Sequence, residues 1–309
     1  NLGVFLERHR EPAEAFAALT EAQDLLLELV DEQANDFQVI NQLSGARTCL
    51  SRLHAQRGEA AEARKLVMQS LAHQNWMLGT ARGDPMVLRC LCMTYASALD
   101  TLGIIGGSDG DEADEGDDEP DTETLQFVAH MHKCVAALSN SKHPTVMDRE
   151  IVLKAGLWLA QWYMEHGQHQ TVDSLWPSLR VWAQQAQGQR VLRHWRTLDG
   201  FVQLRDGQPE AALASFRVAV AAMAEDPPPR HWLHLQALLG LGLAELPDDA
   251  AAARAARAEA EKLQVSLPGS ATRSWPRGRK SFLRRVSRRL AAGLDGSPSE
   301  AGARKNSGR

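Results

Sequence analysis

The stretch Leu50–Ser70, LSRLHAQRGEAAEARKLVMQS, decides the fold. It reads as two helices joined by a tight turn at Gly58. Leu50, Leu53 and His54 form one stripe at helical spacing, and Ala63, Val67 and Ser70 form the facing one. Glycine suits the residue just past a helix end because it enters the left-handed backbone region without a Cβ clash. Ala63 is small where the two helices must come close.

Working outward, the skeleton recurs. Counting five, nine and twelve residues forward from the turn gives Gly58, Ala63, Val67 and Ser70 here, and Arg10, Ala15, Leu19 and Ala22 lying 48 residues earlier. It then gives Gly167, Val172, Trp176 and Leu179, followed by Gly207, Ala212, Phe216 and Ala219. A degenerate last copy is Pro247, Ala252, Ala256 and Glu259. Seven residues before each turn stand Gly3, Ser51, Ala160, Gly200 and Gly240, all small. That position is expected where the first helix of a pair meets its neighbour. Alternating β-strand patterns are missing, so the chain is expected to be all-α.

The pattern resembles the tetratricopeptide repeat (TPR). Leu2-Gly3 with Ala15, Leu50 with Gly58 and Ala63, and Gly200 with Gly207, Ala212 and Phe216 carry the resemblance. It implies a right-handed solenoid of about six helix-turn-helix units over 1–264. The long spacing, with LVDEQANDFQVINQL between units, resembles the C-terminal repeats of planctomycete-type bacterial serine/threonine protein kinases. Three departures stand out. Arg10 replaces the first turn glycine, Thr171-Val172 replaces an acidic-alanine pair, and Asp199 falls where an apolar residue is expected, implying a one-residue shift of that helix.

Charge is unevenly placed. The net charge of −5 hides ten acids and no base in 109–123, against a net of +9 in 270–309. The acidic insertion, 104–122, falls between the two helices of one unit and has too few apolar residues to fold alone. The basic tail, 265–309, is expected to be largely disordered apart from a short amphipathic helix over Gly278–Leu290. In that helix Phe282, Leu283, Val286 and Leu290 oppose Arg284, Arg285, Arg288 and Arg289. The tail has three readings: a solvated end, a binder of nucleic acid or an anionic membrane surface, or a segment that folds back on the acidic insertion. The chain begins with Asn, which suggests a fragment of a longer protein, and no stretch of about eighteen apolar residues marks a transmembrane segment.

Catalytic patterns are lacking. There is no H-R-D or D-F-G sequence, and the glycine-rich run Gly103–Gly110 leads into acids that would repel phosphate. We therefore expect no enzymatic activity and no cofactor in this chain; a kinase domain would belong to a longer parent. His130, His132 and Cys134 alternate, so on a helix His132 points away from the other two and no metal set is assigned. Cys49, Cys90, Cys92 and Cys134 lack a disulfide spacing and read as small buried hydrophobes in a reducing compartment, consistent with a cytoplasmic location. Trp158, Trp162, Trp176 and Trp182 read as packing between helices, or alternatively as an aromatic ligand patch.

The function expected is a protein-protein interaction scaffold that holds a partner peptide in the concave groove lined by first helices. Transferring the repeat's groove positions implies Arg52, Gln56, Lys154, Gln161 and Arg205 as contacts. The alternatives are a regulatory or substrate-recruiting region of a bacterial serine/threonine kinase, and nucleic-acid or anionic-surface binding through the tail.

Overall fold

The computed structural model describes residues 12–32, 36–81, 83–105, 120–141, 144–225, 231–267 and 275–295. Among these residues there are twelve helices and no strand: α1 Pro12–Glu32, α2 Phe37–Gln56, α3 Ala60–Thr80, α4 Pro85–Ile105, α5 Thr122–Ser139, α6 Val146–Glu165, α7 His169–Gln185, α8 Gln189–Arg205, α9 Pro209–Glu225, α10 His231–Glu245, α11 Ala250–Ser266 and α12 Arg277–Leu294. The all-α reading holds.

Local chemistry explains the boundaries. α1, α4 and α9 open on proline, which needs no N–H at a first helical position. The carboxylate of Asp36 accepts from the Gln38 and Val39 amides at 2.7 and 3.2 Å, and Asp249 caps α11 in the same way. Thr145 and Asp148 form a reciprocal capping box on α6, with the Thr145 amide donating to Asp148 at 2.7 Å and the Asp148 amide donating to Thr145 Oγ1 at 3.1 Å.

At the turns, Gly58, Gly167 and Gly207 have φ of 80°, 69° and 73°. The residue after each glycine donates back across the last helical turn: Glu59 to the His54 carbonyl, Gln168 to Tyr163 and Gln208 to Gln203, at 2.9, 2.8 and 2.9 Å. This is the Schellman closure, and it demands the left-handed residue the spacing placed there.

The chain divides into two compact units, drawn from Asn1–Met164, Gln168–Ala186 and Arg273–Arg277, and from Glu165–Gly167, Gln187–Thr272 and Gly278–Arg309. This division differs from the 1–264 and 265–309 partition read from the sequence, because α12 is assigned with α8 to α11.

In the first unit each of α1 to α4 packs on the next, and α2 also packs on α4. α2 and α3 run antiparallel, since Asn41 bonds Gln74 while Ser44 bonds Ser70. Ala15, Leu19, Ala46, Leu50, Leu53 and Leu66 form one core cluster, and Ala63 meets Ala55 and Ile104 in another. A polar seam runs beside them: Ser70 Oγ donates to the Ser44 carbonyl at 2.9 Å, Thr48 and Ser70 hydroxyls meet at 3.0 Å, and Ser51 meets Thr101 at 3.4 Å. A Cβ on Gly156 of α6 would stand 2.3 Å from the Leu179 side chain of α7, so the two helices are in close contact there.

α4 is long and apolar enough to cross a membrane by length and composition, which the sequence reading did not anticipate. In this fold it is mostly buried by protein, and its Asp100 accepts a 3.1 Å hydrogen bond from the Trp158 indole, as a core helix would.

In the second unit α8 packs on α9, α9 on α10, α10 on α11, and α8 on α10. Phe216 is the keystone. A Cβ on Gly200 would stand 2.6 Å from its ring, and one on Gly240 would stand 2.4 Å away. Both first helices have thus closed on one phenylalanine, as the small residues seven before each turn led us to expect.

Two expectations of register change. Asp199 does not shift its helix. It is buried in register, accepting from Gln203 Nε2 at 2.9 Å and from Ser215 Oγ at 3.4 Å, so polar neighbours replace the apolar contact. In the last pair the buried stripe is Ala253, Ala256 and Ala260, not Ala252, Ala256 and Glu259, because the turn through Leu246–Asp249 contains one more residue. Gly3 and Arg10, with the expected first helix of the first pair, lie outside the described residues.

Candidate functional site

The five groove positions sit on three first helices. Arg52 is half-buried on α2, with exposed Gln56 one turn beyond it. Lys154 is exposed on α6 between the buried Leu153 and Ala155. Gln161, two turns further, is 0% exposed, so its side chain is closed to a partner. Arg205 ends α8 in the second unit, exposed, with its Nε donating to the adjacent Asp206 at 3.0 Å. Arg52, Gln56 and Lys154 therefore keep the exposure a partner contact in the first unit needs, and Gln161 does not.

The more organised face is in the second unit, where α12 is seated. Its apolar stripe, Phe282, Leu283, Val286 and Leu290, is buried, while Arg284, Arg285, Arg288 and Arg289 are exposed. The helix is longer than the Gly278–Leu290 segment expected, and its side chains meet residues of α8 and α10. The Phe282 ring meets Phe201 edge-on at 5.3 Å, and Phe201 meets Phe216 at 5.0 Å. Leu290 enters a cleft where a Cβ on Gly242 would stand 2.8 Å from it. Near the helix end, Leu246 lies so close to Gly293 that a Cβ there would stand 2.2 Å from its methyl carbon.

One buried ion pair fixes the start of this helix. Arg279, 2% exposed, donates from Nε to Glu165 Oε1 at 3.0 Å, and its guanidinium carbon lies 4.0 Å from the centre of the Trp232 ring. A planar guanidinium suits both contacts at once. Arg285 donates from Nη2 to the Glu165 backbone carbonyl at 2.8 Å, placing a cation on the negative end of α6. Deeper in α10, burial pulls the His234 pKa below its ordinary value, with Glu259 opposing.

The remaining expectations resolve into packing. Trp158, Trp162 and Trp176 are buried, while Trp182 is half-buried. His130 faces Tyr95, Nδ1 to hydroxyl 3.3 Å, whereas His132 faces Tyr163 at 3.4 Å. Burial pushes Tyr95 up to about 12 while its hydroxyl donates to Asn75 at 3.2 Å. All four cysteines are free thiols, Cys92 and Cys134 buried as expected but Cys49 and Cys90 only half-buried; the hydrogen bond to Cys134 and burial push the Cys92 thiol up, away from the reactive thiolate. Among the described residues no group of three His, Cys, Asp or Glu side chains is arranged to hold a metal.

The acidic insertion is described only at its edges. Ile104 and Ile105 finish α4, and Asp121 caps α5 by accepting from the Thr124 amide at 2.6 Å. Asp121 and Glu123 lie 3.7 and 3.2 Å from Arg64 of α3. Residues 106–119, and with them the expected pairing of insertion and tail, lie outside the described residues.

Sequence reasoning missed Glu165 and Arg279. The amphipathic helix itself was visible, but an ion pair joining positions 114 residues apart leaves no local signal. Compared with known families and proteins, the chain matches no family model, and no curated protein matches it.

Proposed function

We propose that this chain is a protein-protein interaction scaffold of the TPR type, a right-handed stack of helix pairs that offers the face of its first helices to a partner peptide. The observation that carries this reading is the pairing geometry. Gly58, Gly167 and Gly207 close three of the helix pairs in the same way, and first helices touch one another, α2 with α4 and α8 with α10. In such a stack the first-helix face is set apart from the outer second helices. That α12 lies on first helices in the second unit supports it further, since the face there accepts an amphipathic helix.

The test is site-specific photocrosslinking in host cells from full-length chain. A photoreactive residue at Gln56 or Lys154 is expected to capture the same partner protein. One at Met68 or Val181, exposed on the second helices α3 and α7, is expected to capture none. Equal capture from both faces would overturn the reading.

A second reading rests on a separate observation, the four exposed arginines of α12. Guanidinium groups spaced at three and four residues along one helix side suit phosphate, so duplex DNA or anionic vesicles are candidate ligands. Binding that weakens steeply with salt, and is lost on replacing Arg284, Arg285, Arg288 and Arg289 by glutamine, supports it; binding that survives those changes removes it.

A further inference from the structure

We propose that α12 is an exchangeable occupant of a helix-binding seat in the second unit, and that the seat's partner is a basic amphipathic helix with an arginine one turn ahead of an aromatic residue. This deepens the scaffold reading and rests on it.

The contacts of α12 define the seat. They fall on Glu165 at the end of α6, on Phe201 of α8 and on Trp232 and Gly242 of α10. In order along α12, Arg279 engages Glu165 and Trp232, Phe282 engages Phe201 and Leu290 engages Gly242, so the helix follows α10 from its start to its end with α8 at its flank. The small residue at 242 gives the leucine a cleft, and the phenylalanine ring docks edge-on. These are the anchors of helix-in-groove recognition.

The buried ion pair reads as a selection device. Both partners are about as buried as core residues, with side chains 3% exposed. A buried pair contributes little more than well-packed apolar residues would, yet a lone buried carboxylate is strongly unfavourable. Glu165 therefore excludes a helix without a cation at this point and fixes the register of one that has it. The outer side of α12 favours release. Arg284 with Arg288 and Arg285 with Arg289 are like charges four residues apart, which disfavour an isolated helix. Held in cis by the short connection after α11, α12 competes at a millimolar effective concentration, so an external helix binds well only when α12 is loosened.

The experiment uses the full chain with a protease site inserted between Leu267 and Trp275, and a fluorescent peptide of residues 275–295 as the probe. Cutting should raise probe binding, followed by anisotropy, by about tenfold or more, because the tether is lost. The uncut Phe282→Ala chain should show a similar gain. A probe with Arg279→Glu should fail to bind. Two outcomes overturn the proposal: the cut chain takes up no probe, or cutting or Phe282→Ala removes more helical content by circular dichroism than the 18 residues of α12 account for, which would make α12 a fixed core element. Crosslinks from Gln56 and Lys154 in the first unit report on the scaffold reading independently of either outcome.

Discussion

The hairpins α2/α3 and α8/α9 solve one packing problem with different residues. Seven residues before the turn stands Ser51 in the first and Gly200 in the second; nine residues after it stand Val67 and Phe216. Ser51 is fully buried, and its hydroxyl donates to the Thr48 carbonyl at 2.8 Å and meets Thr101. Gly200 has no side chain because the Phe216 ring fills its place. The register is constant while volume moves from one helix to the other, and the α2/α3 seam carries hydroxyls where α8/α9 carries an aromatic ring. Position in the repeat thus sets where helices touch, and complementary size sets what fills the contact.

The largest break in this comparison should be Phe216→Ala. It empties the space shared by Gly200 and Gly240 and should cost about 3–5 kcal/mol, read as lost amide-exchange protection in α8 and α9 with the α2 and α3 amides unaffected. Gly200→Ala pushes a methyl into the same ring and should cost about 1–3 kcal/mol by denaturant unfolding. Adding Phe216→Val, which copies the Ser51 and Val67 volumes, should recover part of that loss; no recovery would mean the two hairpins are not interchangeable in this sense. Gly58→Ala and Gly207→Ala should each cost about 1–2 kcal/mol, since alanine is strained at positive φ, and equal costs would confirm that the closures are equivalent.

The smallest effects should be pH-linked, and in the first unit they come from His73 and Asp148. Burial lowers the His73 pKa, assisted by Arg47, whose Nη1 donates to His73 Nδ1 at 3.2 Å. The unfolded chain then binds the proton more readily. Stability should be full above the unfolded histidine value near about 6.5 and should decline as pH falls toward the lower folded value. His73→Gln should flatten the melting temperature between about pH 7 and pH 5. For Asp148, burial opposes the charge, but hydrogen bonds from Thr145 and the close Arg89 pair outweigh it and hold its carboxyl below the usual range. That contribution should persist above about pH 4 and fade as pH falls through the folded value, and Asp148→Asn should remove it.

What the sequence made legible follows from this division. Turn glycines and small residues repeat at fixed offsets, so Gly58, Gly167, Gly207, Gly200 and Gly240 could be placed before any coordinates. Local rules fail where a distant partner decides. Asp199 looked misplaced because Ser215, sixteen residues on, could not be assigned to it. Gln161 looked like a groove residue because repeat spacing carries no information about what covers it. The candidate seat was the least legible part. Helical spacing marks the apolar stripe of α12 but not the surface it lands on, and Glu165 and Arg279 are each ordinary charged residues until brought together.

The placement of α12 also has a consequence for synthesis. α10 is apolar around most of its circumference, with Trp232, Leu233, Leu235, Leu238 and Leu239 buried, and the residue that fills the cleft at Gly242, Leu290, comes 48 positions later. A ribosome adding about 5–20 residues per second takes roughly 2–10 s to reach it. During that interval the nascent chain carries an apolar cleft whose cover is made well after the helices it shields, and a chaperone has its clearest target there.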